Sequence, residues 1–179
     1  MLSVRSLILL AVAVLLSGCF VSTKPLFVPT DADMPLANGA RLMSFSLDEK
    51  GARTTETPSH ITATRKAHSY IFTPDDDEAL GAMFDDIGQG YFVGLTIEDD
   101  PGNPPLYGLF HRIGDRWFAY SPVCSDFKKL AGTHGKSLAD FHIATSGGDC
   151  QFTSYDDLKN ALMFLAAYSH PETEYVIEE

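Results

Sequence analysis

The chain has 179 residues, of which 45% are hydrophobic and 21% are charged, and it carries a formal net charge of -11 at pH 7. This length suits one domain with a substantial core. The acidic balance argues against nucleic acid as a partner and against docking onto anionic headgroups through a basic surface.

The amino terminus begins with an apolar run that is typical of a targeting segment. Residues 7–16 are all apolar, and Arg5 is the only charged residue before Cys19. A run of about ten residues matches the core of a secretory signal and is about half of what a membrane-spanning helix requires. We therefore expect residues 1–18 to be a signal peptide.

The residues around Cys19 resemble the lipobox of bacterial lipoproteins, in which a leucine and two small residues precede a cysteine, as Leu16, Ser17 and Gly18 do here. The resemblance implies cleavage before Cys19, a thioether-linked diacylglycerol on it and often acylation of the new amino terminus. It also implies a lipid-anchored protein of the cell envelope that faces the periplasm. Two or three acyl chains suffice for stable anchoring, since each buried methylene contributes about 0.8 kcal/mol. The alternative is an ordinary secretory signal with a coincidental cysteine.

The residues that follow Cys19 indicate which membrane would receive the protein and how the domain would be joined to the lipidated cysteine. In enterobacterial lipoproteins an aspartate directly after the lipidated cysteine favours the inner membrane, so Phe20 at that position favours the outer membrane. The motif KPLF resembles small uncharacterised proteobacterial envelope lipoproteins and implies no activity. Residues 19–39 contain three prolines and no sustained period, which predicts a lipidated cysteine and a flexible tether. Docking of residues 25–27 onto the domain is the alternative.

The chain has three cysteines, an odd number for an exported protein. If Cys19 carries lipid, Cys124 and Cys150 remain as a pair in a compartment where disulfides persist. Their crosslink would contribute roughly 3–4 kcal/mol in the chain-entropy model. A metal pair or a redox couple is the alternative, but neither cysteine belongs to a Cys-x-x-Cys motif or has a ligand-spaced histidine beside it.

From residue 41 to residue 123 the hydrophobic pattern mostly has a period of two. The candidate strands are RLMSFSL, HITATR, AHSYIF, YFVGLTIE, LYGLFHRI and RWFAYSPV. The dipeptide GD between the last two predicts a tight hairpin, and an acidic segment predicts a short helix around residues 78–84. With a further candidate at residues 174–177, up to seven short strands favour a mainly β (α+β) domain over residues 40–179, an antiparallel meander curled into a barrel or folded as a sandwich.

The carboxyl-terminal part of the chain changes to a helical period in SYDDLKNALMFLAAYSHPE. Ser154 is a typical N-cap, two aspartates lie in the first turn, and Pro171 ends the run. We therefore expect one amphipathic helix over residues 154–169, packed on the sheet. Residues 174–177 are expected to add a last edge strand.

The usual catalytic motifs do not occur in the sequence. There is no Gly-x-Ser-x-Gly elbow, Gly-rich phosphate loop or His-Glu-x-x-His motif. The histidine pairs His60 with His68 and His134 with His142 have a spacing of eight, which is consistent with two metal ligands but too common by chance to indicate a site. The acidic run from Asp75 fails the EF-hand spacing, so no metal or cofactor is predicted. A periplasmic hydrolase that uses His111 or His142 with a nearby acid remains the alternative function.

Aromatic residues are concentrated on three consecutive candidate strands, between residues 91 and 120. Such residues build a core, or line the apolar cavity that a small barrel can enclose. The outline is similar to lipocalin-like carriers, although the Gly-x-Trp signature is missing because the only tryptophan is Trp117. We expect a noncatalytic envelope lipoprotein that binds an apolar ligand or another envelope protein.

Overall fold

The computed structural model describes residues 18–28, 30, 34–75, 78–97 and 103–178. The expected signal peptide, apart from Gly18, lies outside these residues, as do parts of two acidic runs. Within the described part of the chain, no helix is both long and apolar enough to cross a membrane.

The centre of the molecule is a closed antiparallel barrel of eight strands. The strands of the described residues are β1 (Phe20–Val21), β2 (Ala40–Ser46), β3 (Ser59–Lys66), β4 (Ser69–Pro74), β5 (Leu80–Gly88), β6 (Tyr91–Ile97), β7 (Leu106–Ile113), β8 (Arg116–Tyr120), β9 (Ala144–Ser146), β10 (Asp149–Gln151) and β11 (Thr173–Ile177). Strands β2 to β8 and β11 form the barrel, because β6 pairs with β7 and β11 pairs with both β2 and β8. The expected mainly β fold is confirmed, as a barrel rather than a sandwich.

Strand β11 closes the barrel instead of forming an edge. Tyr175 pairs with Ser44 of β2 on one side and with Trp117 of β8 on the other. The expectation of an edge strand is therefore wrong. Closure satisfies the backbone groups on both sides of β11, which an edge strand would leave open on one side.

Strand β5 replaces the short helix that was expected around residues 78–84. Ala82 and Phe84 belong to the barrel interior, whereas Met83 packs on the outer side. This alternation has the period of a strand. The helical preference of a few residues is outweighed here because β5 pairs with β4 over Leu80–Ala82 and with β6 over Gly81–Gly88.

Two α-helices cover one side of the barrel, α1 (Cys124–Thr133) and α2 (Tyr155–Tyr168), with a short 3₁₀ helix at Leu138–Phe141. Helix α2 matches the expected helix, and the Asp157 N–H donates to Ser154 Oγ at 3.4 Å, as an N-cap requires. Helix α1 was not expected, because its sequence has a sparse apolar face.

The β7–β8 hairpin has the two-residue connection that the sequence predicts. Gly114 and Asp115 lie between the two strands, and Gly114 has a φ of 67°. Glycine adopts this left-handed conformation without strain, which allows the tight turn.

The barrel wall separates two hydrophobic cores. The inner core fills part of the barrel with aromatic and aliphatic residues, including Phe84, Phe92 and Trp117. The outer core lies between β6, β7 and the helices, and Val93 and Leu95 of β6 belong to it. Strands β6, β7 and β8 each contribute side chains to both cores, which accounts for the aromatic concentration seen in the sequence.

Candidate functional site

The barrel encloses an apolar cavity of about 490 Å³. This volume falls within the range of about 300–1,000 Å³ that is common for small-molecule sites. Its described lining holds no carboxylate, imidazole, ammonium or guanidinium group. The larger apolar side chains of the lining include Leu42, Ile61, Phe72, Phe84, Phe110 and Trp117.

Small residues form part of the cavity wall. Gly94 of β6 and Gly108 of β7 face each other in the barrel wall. A Cβ added to Gly94 would lie 2.5 Å from Cε2 of Phe110, so the aromatic ring lies directly over the glycine. Ala82 and Ala119 also line the cavity with side chains of a single carbon.

One end of the barrel is closed by Leu36, which is 5% exposed. The Tyr70 hydroxyl donates to the Leu36 carbonyl at 2.7 Å and accepts from the Leu36 N–H at 2.8 Å. Arg65 donates to the same carbonyl through Nε at 3.0 Å and Nη2 at 2.6 Å. This part of the expected tether is therefore bound to the barrel; we call this end the closed end.

The opposite end of the barrel is the mouth of the cavity. Pro74, Leu80 and Ser121 lie there, next to the ends of their strands, and all three line the cavity. Leu80 is 43% exposed, so the cavity reaches solvent at this end. Cys19 also lines the cavity and forms an isolated antiparallel bridge with Val123, which places it at the rim of the mouth.

Backbone hydrogen bonds hold Cys19 against the domain. Its N–H donates to Asp149 Oδ1 at 2.8 Å, and its carbonyl accepts from the Cys150 N–H at 2.9 Å. Phe20 is fully buried, and its ring lies 5.1 Å from that of Phe127 and 4.9 Å from that of Phe152. The flexible tether expected from the sequence is wrong for these residues, because core packing outweighs chain freedom.

Tyr107 holds the next part of the same segment. Its hydroxyl lies 2.7 Å from Ser22 Oγ and accepts from the Leu26 N–H at 3.0 Å. Burial is the main cause that raises the pKa of Tyr107. Leu26 and Phe27 pack against the outer core, so the alternative expectation, docking of residues 25–27, describes the structure better than a tether does.

The expected disulfide links Cys124 to Cys150, with a sequence separation of 26 and a Cα–Cα distance of 5.2 Å. It joins the first residue of α1 to β10, the strand that pairs in parallel with β1. The Cys124 N–H also donates to the Gly18 carbonyl at 2.6 Å. The disulfide therefore stabilises the two elements against which the Cys19 segment lies.

Cys19 is half-buried and is a free cysteine in the described structure. Burial, followed by the nearby Asp149 carboxylate, raises the pKa of its thiol. A raised pKa keeps the group a neutral thiol near neutral pH and makes it a poor catalytic nucleophile.

The two histidines considered as catalytic bases lie outside the cavity. The His111 ring stacks on Tyr91 with centroids 4.0 Å apart, and burial lowers the pKa of His111. His142 Nδ1 lies 2.9 Å from Asp157 Oδ1; this hydrogen bond, then the carboxylate charge, raises the pKa of His142. In the described residues, no group of three or more His, Cys, Asp and Glu side chains is arranged to hold a metal ion.

Sequence reasoning did not identify the residues that hold Cys19 or that close the barrel. The Asp149 carboxylate binds the backbone of Cys19, and the side chains of Tyr70 and Arg65 bind the backbone of Leu36. No sequence motif marks such contacts. The available signal was the presence of Gly94 and Gly108 inside candidate strands, since glycine in a strand often marks a close approach.

Comparison with known proteins gives no relative: no family model, curated protein or solved structure matches the chain. The cavity and the Cys19 segment are therefore the features on which a functional proposal depends.

Proposed function

We propose that this protein is a noncatalytic lipoprotein of the bacterial envelope, anchored through Cys19, that binds an apolar ligand inside its barrel. The observation that carries the proposal is the apolar cavity of about 490 Å³ with Cys19 at its rim. The lipobox resemblance supports the anchor, and the apolar lining supports the class of ligand.

Cys19, the proposed site of lipid attachment, lies at the mouth of the cavity. A lipid on Cys19 Sγ would leave the protein at the mouth, because Cys19 lines the cavity there. The backbone of Cys19 is bound to Asp149 and Cys150, and Phe20 is buried, so little free chain separates the lipid from the barrel. In this proposal the mouth faces the bilayer, and a ligand passes between bilayer and cavity without crossing bulk water.

The rim at the mouth suits contact with a membrane. Leu80 is among the few large apolar side chains that are exposed in the described structure. The net charge of -11 makes electrostatic attraction to anionic headgroups unfavourable. The acyl chains on Cys19 would therefore provide the attachment, and the apolar rim would lie at the interface.

Placement at the outer membrane remains part of the proposal, on the basis of Phe20 in the sorting position. Phe20 also has a structural role, since it fills the outer core between Phe127 and Phe152. An aromatic residue at this position thus also stabilises the fold, independently of any role in sorting between membranes.

The test is binding of N-phenyl-1-naphthylamine, an apolar fluorescent probe, by the full mature protein purified from bacterial membranes. Intact mass first establishes whether Cys19 is acylated. Ala82→Phe places a ring in the cavity, and Thr64→Phe adds the same ring on the exposed outer side of β3. We expect Ala82→Phe to weaken probe binding by about tenfold or more, with no change for Thr64→Phe.

Two outcomes would contradict the proposal. One is an unmodified Cys19 in protein taken from membranes. The other is equal probe binding by wild type and by Ala82→Phe, provided that circular dichroism shows the variant to be folded.

A further inference from the structure

A residue that lines the deep part of the cavity carries a buried hydrogen-bond donor without a partner among the described residues. Trp117 is 4% exposed and lines the cavity. Its indole Nε1 is buried and has no hydrogen-bond partner among the described residues. A buried tryptophan N–H usually has a partner. The geometry therefore points to a ligand that carries an acceptor atom.

The position of Trp117 restricts where that acceptor lies in the ligand. Trp117 precedes Ser121, at the rim, by four positions, a distance of about 13 Å along a strand. An acyl chain attached to Cys19 has its ester oxygens at the mouth and its methyl end deepest. Such a chain has no acceptor for the indole, whereas a free amphiphile with its polar end inward does.

Positive charge lies near the closed end of the cavity. The guanidinium carbon of Arg112 is 5.6 Å from the Trp117 ring centroid, and that of Arg65 is 5.9 Å from the Tyr70 ring centroid. Arg65 donates to carbonyl groups of the closing segment, while Arg112 Nε donates to the Gly114 carbonyl. Arg112 is exposed and does not line the cavity, but its positive charge lies beside Trp117 and favours an anionic acceptor there.

We propose that the ligand is a long-chain fatty acid, bound with its carboxylate at Trp117 near the closed end and its hydrocarbon chain toward the mouth. This inference rests on the proposed function, because it names the ligand of the same cavity. A fatty acid in a bilayer holds its carboxylate at the level of the headgroups. A mouth that faces the membrane therefore meets the carboxylate first, and the chain follows it into the apolar lining.

The experiment uses Trp117 as its own reporter, because the chain has one tryptophan. Full mature protein with ¹⁵N-labelled indole is placed in phosphatidylcholine nanodiscs, and palmitate or hexadecane is added. We expect both to displace N-phenyl-1-naphthylamine, and only palmitate to shift the indole N–H resonance downfield. Trp117→Phe should weaken palmitate binding by about tenfold and hexadecane binding by much less, because the variant removes the N–H donor but keeps an aromatic ring in the lining.

Two further variants test the role of the Arg112 charge and whether the protein's own acyl chain fills the cavity. Arg112→Gln should weaken palmitate binding without changing hexadecane binding. Cys19→Ala, which has no attached acyl chains, should bind palmitate with the affinity of the acylated protein. If only Cys19→Ala binds palmitate, the protein's own acyl chain fills the cavity and the inference is wrong.

The remaining outcomes show whether the inference fails alone or together with the proposed function on which it rests. Palmitate binding without an indole shift, or with unchanged affinity in Trp117→Phe, would refute the inward carboxylate and leave an apolar binding protein. If neither palmitate, hexadecane nor the naphthylamine probe binds, the inference and the proposed function both fail.

Discussion

At the scale of single residues, Glu174 is a carboxylate buried on the outer side of the barrel, with 1% exposure. Arg53 donates to it through Nε at 2.7 Å and Nη2 at 3.0 Å, and Arg116 Nε donates to it as well. The two guanidinium groups lie over the rings of Phe45 and Phe118, which flank Glu174 in the neighbouring strands. Hydrogen bonding from Arg53, assisted by Arg116, lowers the pKa of Glu174 to about 2.

This arrangement predicts a pH-dependent contribution to stability. Glu174→Gln keeps the size of the side chain and removes its charge. Near pH 7 we expect a loss of about 2 kcal/mol in the free energy of unfolding, less than a fully buried ion pair would give because both arginines are about half exposed. Since folding lowers this pKa from 4.5 to about 2, the contribution is complete above pH 4.5 and is lost as the pH falls toward 2.

Urea unfolding of wild type and Glu174→Gln over this pH range measures the difference. The difference in the free energy of unfolding between the two proteins should shrink as the solution is acidified. A difference that stays constant between neutral and acidic pH would show that Glu174 is not ionised in the folded protein. Arg53 lies 121 positions from Glu174, so no local pattern in the sequence could predict this pairing.

At the scale of elements, the two-residue strand β1 determines how the Cys19 end joins the barrel. It pairs in parallel with β10 and antiparallel with β7. So short a strand has little stability of its own, and its order depends on the burial of Phe20 and on the disulfide between α1 and β10. The sequence predicted the disulfide from counting cysteines, but not the strand that lies against it.

Removal of the disulfide is expected to destabilise the protein and to loosen β1. The double variant Cys124→Ser, Cys150→Ser should lower the free energy of unfolding by roughly 2–5 kcal/mol. Because Cys150 pairs with Phe20, amides of residues 20–22 should exchange with deuterium faster than those of β3 and β4. Wild type, in which the disulfide is intact, is the control. Equal exchange at β1 in wild type and in the double variant would contradict the stabilising role proposed for the disulfide.

At the scale of the whole molecule, the proposed anchor on Cys19 and the two different barrel ends together predict an orientation at the membrane. Leu80 at the mouth and Ile113 beside the closed end are both exposed, at 43% and 55%. They lie at opposite ends of strands that span roughly 20 Å. With a lipid on Cys19, only the mouth would lie within the headgroup region.

Fluorescent labels on Leu80→Cys and Ile113→Cys test this orientation. The acylated protein, reconstituted in vesicles with spin-labelled lipid, should show strong quenching of the label at position 80. Quenching at position 113 should be weak, because the length of the barrel separates it from the bilayer. Equal quenching at both positions, or the reverse order, would mean that the mouth does not face the membrane.

The sequence by itself determined the features that depend on neighbouring residues. Helix α2 follows from apolar spacing and the cap at Ser154, and the β7–β8 turn follows from Gly114 and Asp115. Alternation in β6 placed Phe92 and Val93 on opposite faces. These features require only local geometry, which the order of residues specifies directly.

Only the tertiary structure decided what depends on distant partners. Insertion of β11 between β2 and β8 closes the barrel, Leu36 blocks one end of it, and Cys19 lies at the rim of the other. The cavity and the unpaired indole of Trp117 exist because these segments come together. Such contacts depend on pairing and packing between residues far apart in the chain, which the periodicity of a single segment does not encode.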